Sequence, residues 1–168
     1  GRNVAIGRNA FSTEDDVGYV VAVGYQALEN VTSGNHNVGV GHRVLESLTT
    51  GEFNVAAGRR ALASITDDNR NTAFGNAALA TCTTSNNTAV GNMALAFQTS
   101  GSSNTAVGNN AGYAVTTGSS NTIIGNNAGE DLTTGNSNIL IGIDCMKNVT
   151  TSNKNVVLGY DTFATATG

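Results

Sequence analysis

Apolar and polar residues follow a fixed beat along this chain. A Gly closes a short apolar run at Gly7, Gly24, Gly41, Gly58, Gly75, Gly91, Gly108, Gly125, Gly142 and Gly159, at steps of 17 residues with one step of 16 between Gly75 and Gly91. Let position 1 be the residue four places before this Gly. It is Asn in nine of the ten copies, Asn3, Asn37, Asn54, Asn71, Asn87, Asn104, Asn121, Asn138 and Asn155, with Val20 the exception. Positions 2 and 4 are mostly β-branched or large and apolar, as in Val38/Val40 and Ile139/Ile141. Such a run, bounded by Asn and Gly, predicts a short strand. Positions 8, 9 and 12 are apolar again, as in Ala27/Leu28/Val31 and Ala61/Leu62/Ile65. Spacings of three and four place them on one side of a helix-like turn. Thr-Thr-Gly or a relative then returns the chain to the next strand.

Ten units in register predict an all-β fold, a parallel β-roll or solenoid of ten rungs. Each rung holds a short strand and a helix-like turn, stacked at about 4.8 Å, so the stack is on the order of 45–50 Å long. Residues 1–168 form a single repeat domain, read as a fragment of a longer fibre protein.

Side chains alternate across a strand, so if positions 2 and 4 face the chain's own turn, position 3 faces away. Position 3 is never polar: Ala5, Ala22, Gly39, Ala56, Ala73, Ala89, Ala106, Ile123, Leu140 and Val157. A strand apolar on both sides is covered on both sides. The expectation is that sister subunits shield this column, as a trimer core that widens at Ile123, Leu140 and Val157. The alternative is a monomeric solenoid with position 3 packed inside.

The repeated Asn-Thr-Ala-Val-Gly and Asn-Val-Ala-Ile-Gly strands resemble the head repeats of trimeric autotransporter adhesins and related repeats in phage tail fibres. The resemblance covers the strand half of all ten units; Leu at position 9 and the Thr-Thr-Gly return depart from it. It implies a left-handed, homotrimeric β-roll on a cell surface or virion, with a host glycan or protein receptor as partner. The handedness and the number three come from the resemblance alone.

Composition narrows the function. Aromatics make up 5% and charged residues 12%, with no Pro, and the net charge is −4. That balance argues against nucleic-acid binding, and no run of about 18 apolar residues exists to insert in a membrane. From Asn71 to Gly129 no Asp, Glu, Lys or Arg occurs, a wall of amides and hydroxyls suited to glycan recognition. His36 and His42 lie at different positions of adjacent units and read as surface residues, not metal ligands. The pairs Asp15-Asp16, Asp67-Asp68 and Glu130-Asp131 read as solvated turns, without the nonapeptide of calcium-binding rolls. Cys82 and Cys145 stand four rungs apart, on the order of 19 Å, too far for a disulfide and in apolar columns. No catalytic constellation or cofactor motif is present, so no enzyme and no cofactor are expected. Matches to the glycosylation pattern at Asn30, Asn86 and Asn148 are expected by chance in so Asn- and Thr-rich a chain.

The Asn column predicts an amide ladder from rung to rung. A second column, Thr32, Thr49, Thr66, Thr83, Thr99, Thr116, Thr133, Thr150 and Thr167 at position 13, carries the rival reading: a monomeric ice-binding solenoid. It ranks below the fibre because Thr beside a Gly turn tends to serve its local backbone.

Overall fold

The computed structural model describes residues 2–12 and 17–163. Ten three-residue strands form one parallel sheet in strict sequence order: β1 (Val4–Ile6), β2 (Val21–Val23), β3 (Val38–Val40), β4 (Val55–Ala57), β5 (Thr72–Phe74), β6 (Thr88–Val90), β7 (Thr105–Val107), β8 (Thr122–Ile124), β9 (Ile139–Ile141) and β10 (Val156–Leu158). The protein is a β-solenoid, and like positions pair across each rung, for example Thr88 with Thr105 and Thr105 with Thr122. Asp15, Asp16 and Thr167 lie outside the described residues.

The turn between strands is hydrogen-bonded along the stack as well. Gln26 N–H donates to Arg8 C=O at 3.0 Å, Leu28 to Val44 at 3.0 Å and Thr49 to Thr66 at 2.8 Å. Backbone groups that would be orphaned in an irregular loop are thus satisfied by the neighbouring rung. No helix occurs among the described residues, and the helix-like turn is a chain of tight turns. Two residues per turn are left-handed, such as Arg60 (φ 57°) and Leu62 (φ 49°) at positions 7 and 9. Left-handed residues stop a right-handed helix from propagating, so only single closures remain, such as Leu48 N–H to Leu45 C=O at 3.2 Å.

The position-5 Gly is required by its backbone. Gly125 has φ 138°, and a Cβ there would overlap the carbonyl oxygen of Gly142 on the next rung. The step of 16 falls in the fifth rung, whose return Thr83-Thr84-Ser85-Asn86 lacks the position-15 Gly. Beside it Gln98 is fully buried in a position-12 column that is otherwise apolar among the described residues. Its Nε2 donates to Gly101 C=O, while Oε1 has no partner.

The direction of position 3 corrects the expectation drawn above. Ala22, Gly39, Ala56, Ala73, Ala89, Ala106, Ile123, Leu140 and Val157 point into the chain's own core. Most of them are sealed completely, so they do not form a trimer core. Only Ala5, in the edge strand β1, stays exposed. The reason is lateral packing: position 9 of one rung fills the space beside position 3 of the next. A Cβ on Gly39 would come within 2.6 Å of Leu28 Cδ1. Where position 9 shrinks to Gly112 and Gly129, position 3 of the following rung grows to Ile123 and Leu140. Cβ atoms on those glycines would meet Ile123 Cδ1 at 2.9 Å and Leu140 Cδ1 at 2.8 Å. The larger side chains complete the interior; they do not widen an outer contact.

Positions 2 and 4 therefore face outward, opposite to their expected direction. Val40, Phe74, Val90, Val107, Ile124, Ile139 and Ile141 are exposed, by 37–43%.

Candidate functional site

Four features bear on function: the outer sheet face, two hydrogen-bonded columns, an aromatic seam and a trough on the turn side.

The outer face is a strip two columns wide. Position 4 reads Ile6, Val23, Val40, Ala57, Phe74, Val90, Val107, Ile124, Ile141 and Leu158. Position 2 is Val, Thr or Ile in every rung, with Thr72, Thr88, Thr105 and Thr122 in the middle. Nine intervals of about 4.8 Å make a strip about 43 Å long, with columns about 7 Å apart. Its exposed apolar area is on the order of 500–1,000 Å², at or above the largest patch of an ordinary monomer.

The Asn column runs inside the solenoid. Asn37, Asn54, Asn71, Asn87, Asn104, Asn121 and Asn138 are buried, and each Oδ1 accepts the backbone N–H of the next Asn at 2.9–3.0 Å. Most also donate Nδ2 to a carbonyl of the next return, as Asn121 does to Gly135 at 2.8 Å. Asn155 closes the column half-buried. This ladder holds rungs together and offers nothing to a ligand. The position-13 hydroxyls are also committed: Thr49, Thr83 and Thr133 donate to the carbonyls of Thr66, Thr99 and Thr150 at 2.8–3.0 Å. A hydroxyl array facing ice is not available in that column.

Both histidines are exposed in stacked columns. His36 lies between Tyr19 and Phe53, with ring centroids 4.9 Å away on each side. Arg2 and Arg70 cap this stack at 5.9 and 6.0 Å. His42 stacks on Tyr25 at 5.2 Å, with Arg8 on the far side of Tyr25. Ring faces spent on each other form a seam along the axis rather than a platform. Sequence reasoning missed this seam, although Tyr19, His36 and Phe53 recur at the 17-residue step.

No cluster of three or more metal-ligating side chains exists among the described residues. Asp67 accepts a hydrogen bond from Thr66, and burial together with the Asp67 charge pushes the Asp68 carboxyl up. Glu130 and Asp144 share Lys147, at 3.4 and 3.2 Å. Cys82 and Cys145 are free and buried, and burial pushes both thiols up.

The trough lies on the turn side and encloses about 230 Å³. Ala80 and Ala96 make a low floor, Arg59 and Arg60 stand at one end, and Phe97 and Tyr113 form the other, edge to face at 4.9 Å. Its residues occupy positions 6, 7, 10 and 11, apart from the strip at positions 2 and 4.

No family model matches the chain, and neither a curated protein nor a solved structure matches it.

Proposed function

We propose that the chain is a rigid segment of a homotrimeric extracellular fibre, standing on a cell surface or virion and presenting an attachment surface to a host. The supporting observation is the outer strip. Water-facing sheet faces normally carry polar residues, yet here both outward columns are apolar or Thr in all ten rungs. Copies meeting along their strips cover it, with an area per chain comparable to the roughly 800 Å² per partner of a standard interface. The trimeric count comes from the likeness to adhesin head repeats. Stacking supplies the mechanics, because each rung is bonded to its neighbours through strand, turn and internal amides. Repetition along the rod then multiplies weak contacts with a host surface.

Light scattering tests this reading. The chain should have the mass of three copies, and Val107→Lys with Ile124→Lys should reduce it to one copy with an unchanged circular dichroism spectrum. Both side chains point outward, so the substitutions do not disturb the core. A wild-type monomer at every concentration up to millimolar overturns the proposal.

One observation favours ice binding as a second reading. Thr72, Thr88, Thr105 and Thr122 sit in register on the exposed face, a different column from the one expected. A monomer that shows thermal hysteresis, abolished by Thr105→Lys, would establish that reading over the fibre.

A further inference from the structure

We infer that the trough between Arg59 and Tyr113 is a binding site for an acidic pyranose, a sugar ring bearing a carboxylate. Four features converge there.

The first is unspent positive charge. Glu46 is engaged by Arg43 and reaches Arg60 only at 4.0 Å. Arg59, exposed, has no ion-pair partner among the described residues. Two guanidiniums at the edge of a stretch with no charge of its own form a local anion site in a chain of net charge −4. Planar paired donors suit a carboxylate.

The second is an open acceptor. Asn76, Asn92 and Asn109 donate Nδ2 down an exposed ladder, to Asn92 at 3.1 Å, Asn109 at 3.0 Å and Asn126 at 3.2 Å. All point the same way, so Asn76 Oδ1, at the head of the ladder and on the trough wall, receives no donor. A ligand hydroxyl completes it.

The third is the aromatic wall. Phe97 is 47% exposed, an apolar surface that solvent alone does not favour. The C–H face of a pyranose packs on such a ring. The fourth is size. At about 30 Å³ per water the trough holds roughly seven or eight waters, the room of one sugar ring and not of a folded peptide. The depth arises because position 10 is Ala63, Ala80 and Ala96 in three consecutive rungs, between Glu46 earlier and Tyr113 later in the same column.

A carboxylate, a hydroxyl and an apolar ring face on one small molecule fit all four features. The fibre reading supplies only the source of this ligand, a host or environmental glycan, and the binding chemistry stands without it.

The test is chemical-shift and saturation-transfer NMR on the whole chain with three probes: methyl glucuronide, the methyl glycoside of N-acetylneuraminic acid, and neutral methyl glucoside. At least one acidic probe should bind, with transfer to its ring protons, and methyl glucoside should bind at least tenfold more weakly. Arg59→Gln with Arg60→Gln should weaken the acidic probe by about tenfold or more, as expected for lost charge-assisted hydrogen bonds, and Phe97→Ala should abolish ring-proton transfer. These side chains lie on the surface, and circular dichroism checks that the variants fold. Failure of both acidic probes to bind, equal binding of methyl glucoside, or indifference to the Arg substitutions overturns the site. The mass by light scattering is unaffected by any of these outcomes, so the two proposals fail separately.

Discussion

Two Asn ladders run along this solenoid at the same spacing, one dry and one wet, and they should respond very differently to truncation. Asn121 is about 1% exposed. Its Nδ2 donates to Gly135 C=O at 2.8 Å, and its Oδ1 accepts the Asn138 backbone N–H at 3.0 Å. Asn121→Ala leaves that carbonyl and that N–H buried without partners. At about 1–3 kcal/mol for each orphaned group, the loss is about 2–6 kcal/mol. Asn109 has the same amide spacing on the surface, donating to Asn126 at 3.2 Å. Water replaces its contacts, so Asn109→Ala should cost no more than about 0.5 kcal/mol. Asn121→Asp adds a pH signature. The protonated acid donates to Gly135 as the amide did, whereas the ionised form aims charge at a carbonyl in a dry site. Burial raises the folded-state pKa above the unfolded value of about 3.9. The raised pKa favours proton binding in the folded state, so the variant's stability is fullest below about pH 4. It is lost as pH rises through the folded pKa. Urea melts of wild type and the three variants at pH 4 and 7 supply the measurement. Equal losses for Asn121→Ala and Asn109→Ala, or an Asp variant gaining stability relative to wild type from pH 4 to 7, would refute the reasoning.

Further outcomes follow from the packing. Gly125→Ala should disrupt the stack, because its Cβ overlaps the Gly142 carbonyl at φ 138°, and a melt should show a loss of several kcal/mol. Ser120→Gly should instead stabilise by about 0.5–1 kcal/mol in the same assay, since Ser120 is exposed at φ 59° and Gly relieves the left-handed cost. Cys82 and Cys145 should stay silent to a thiol reagent at neutral pH until denaturant is added, because both are buried with thiol pKa values pushed up. Ile123→Ala should cost about 2–5 kcal/mol by leaving a cavity, and Gly112→Leu about 1–3 by overfilling. Combined, they reproduce the Leu95/Ala106 pairing of the rung before, so a double-mutant cycle should show rescue of about 2 kcal/mol, and strict additivity would sink the packing scheme.

The period, the strand and the Asn column were legible because a stack turns one-dimensional spacing directly into neighbours. The direction of the strand was not. Alternation says that positions 2 and 4 oppose position 3, but all three are apolar, so hydrophobicity alone cannot tell inside from outside. The condition that positions 2 and 4 face the chain's own turn fails because the space beside the strand already belongs to the position-9 Leu, and only Ala or Gly fits next to it. The readable clue was the exchange of volume between columns: where Gly112 and Gly129 replace Leu, Ile123 and Leu140 replace Ala in the following rung. The turn misled in a related way. Spacing at positions 8, 9 and 12 fits a helix, and only the two Gly at position 9 hint at the positive φ that Leu62 and Leu79 also adopt there. The trough was invisible because Arg59, Asn76, Ala96 and Tyr113 come from four different rungs, and no single repeat contains it.

The same volume exchange bears on why the outer strip is apolar. With positions 3, 8, 9 and 12 closing the interior, and the Asn column satisfying the polar groups beside it, no internal space remains for positions 2 and 4. A lone rod in water has no packing reason to keep Val, Ile or Thr in one column and aliphatic residues or Phe in the other through ten rungs. Position 2 also passes from Val to Thr and back to Ile while staying β-branched. Its polarity varies but its shape scarcely does. A surface read by solvent would track polarity, whereas one packed against a close neighbour tracks shape. Position 2 behaves in the second way, which supports the proposed lengthwise association with copies of the same chain.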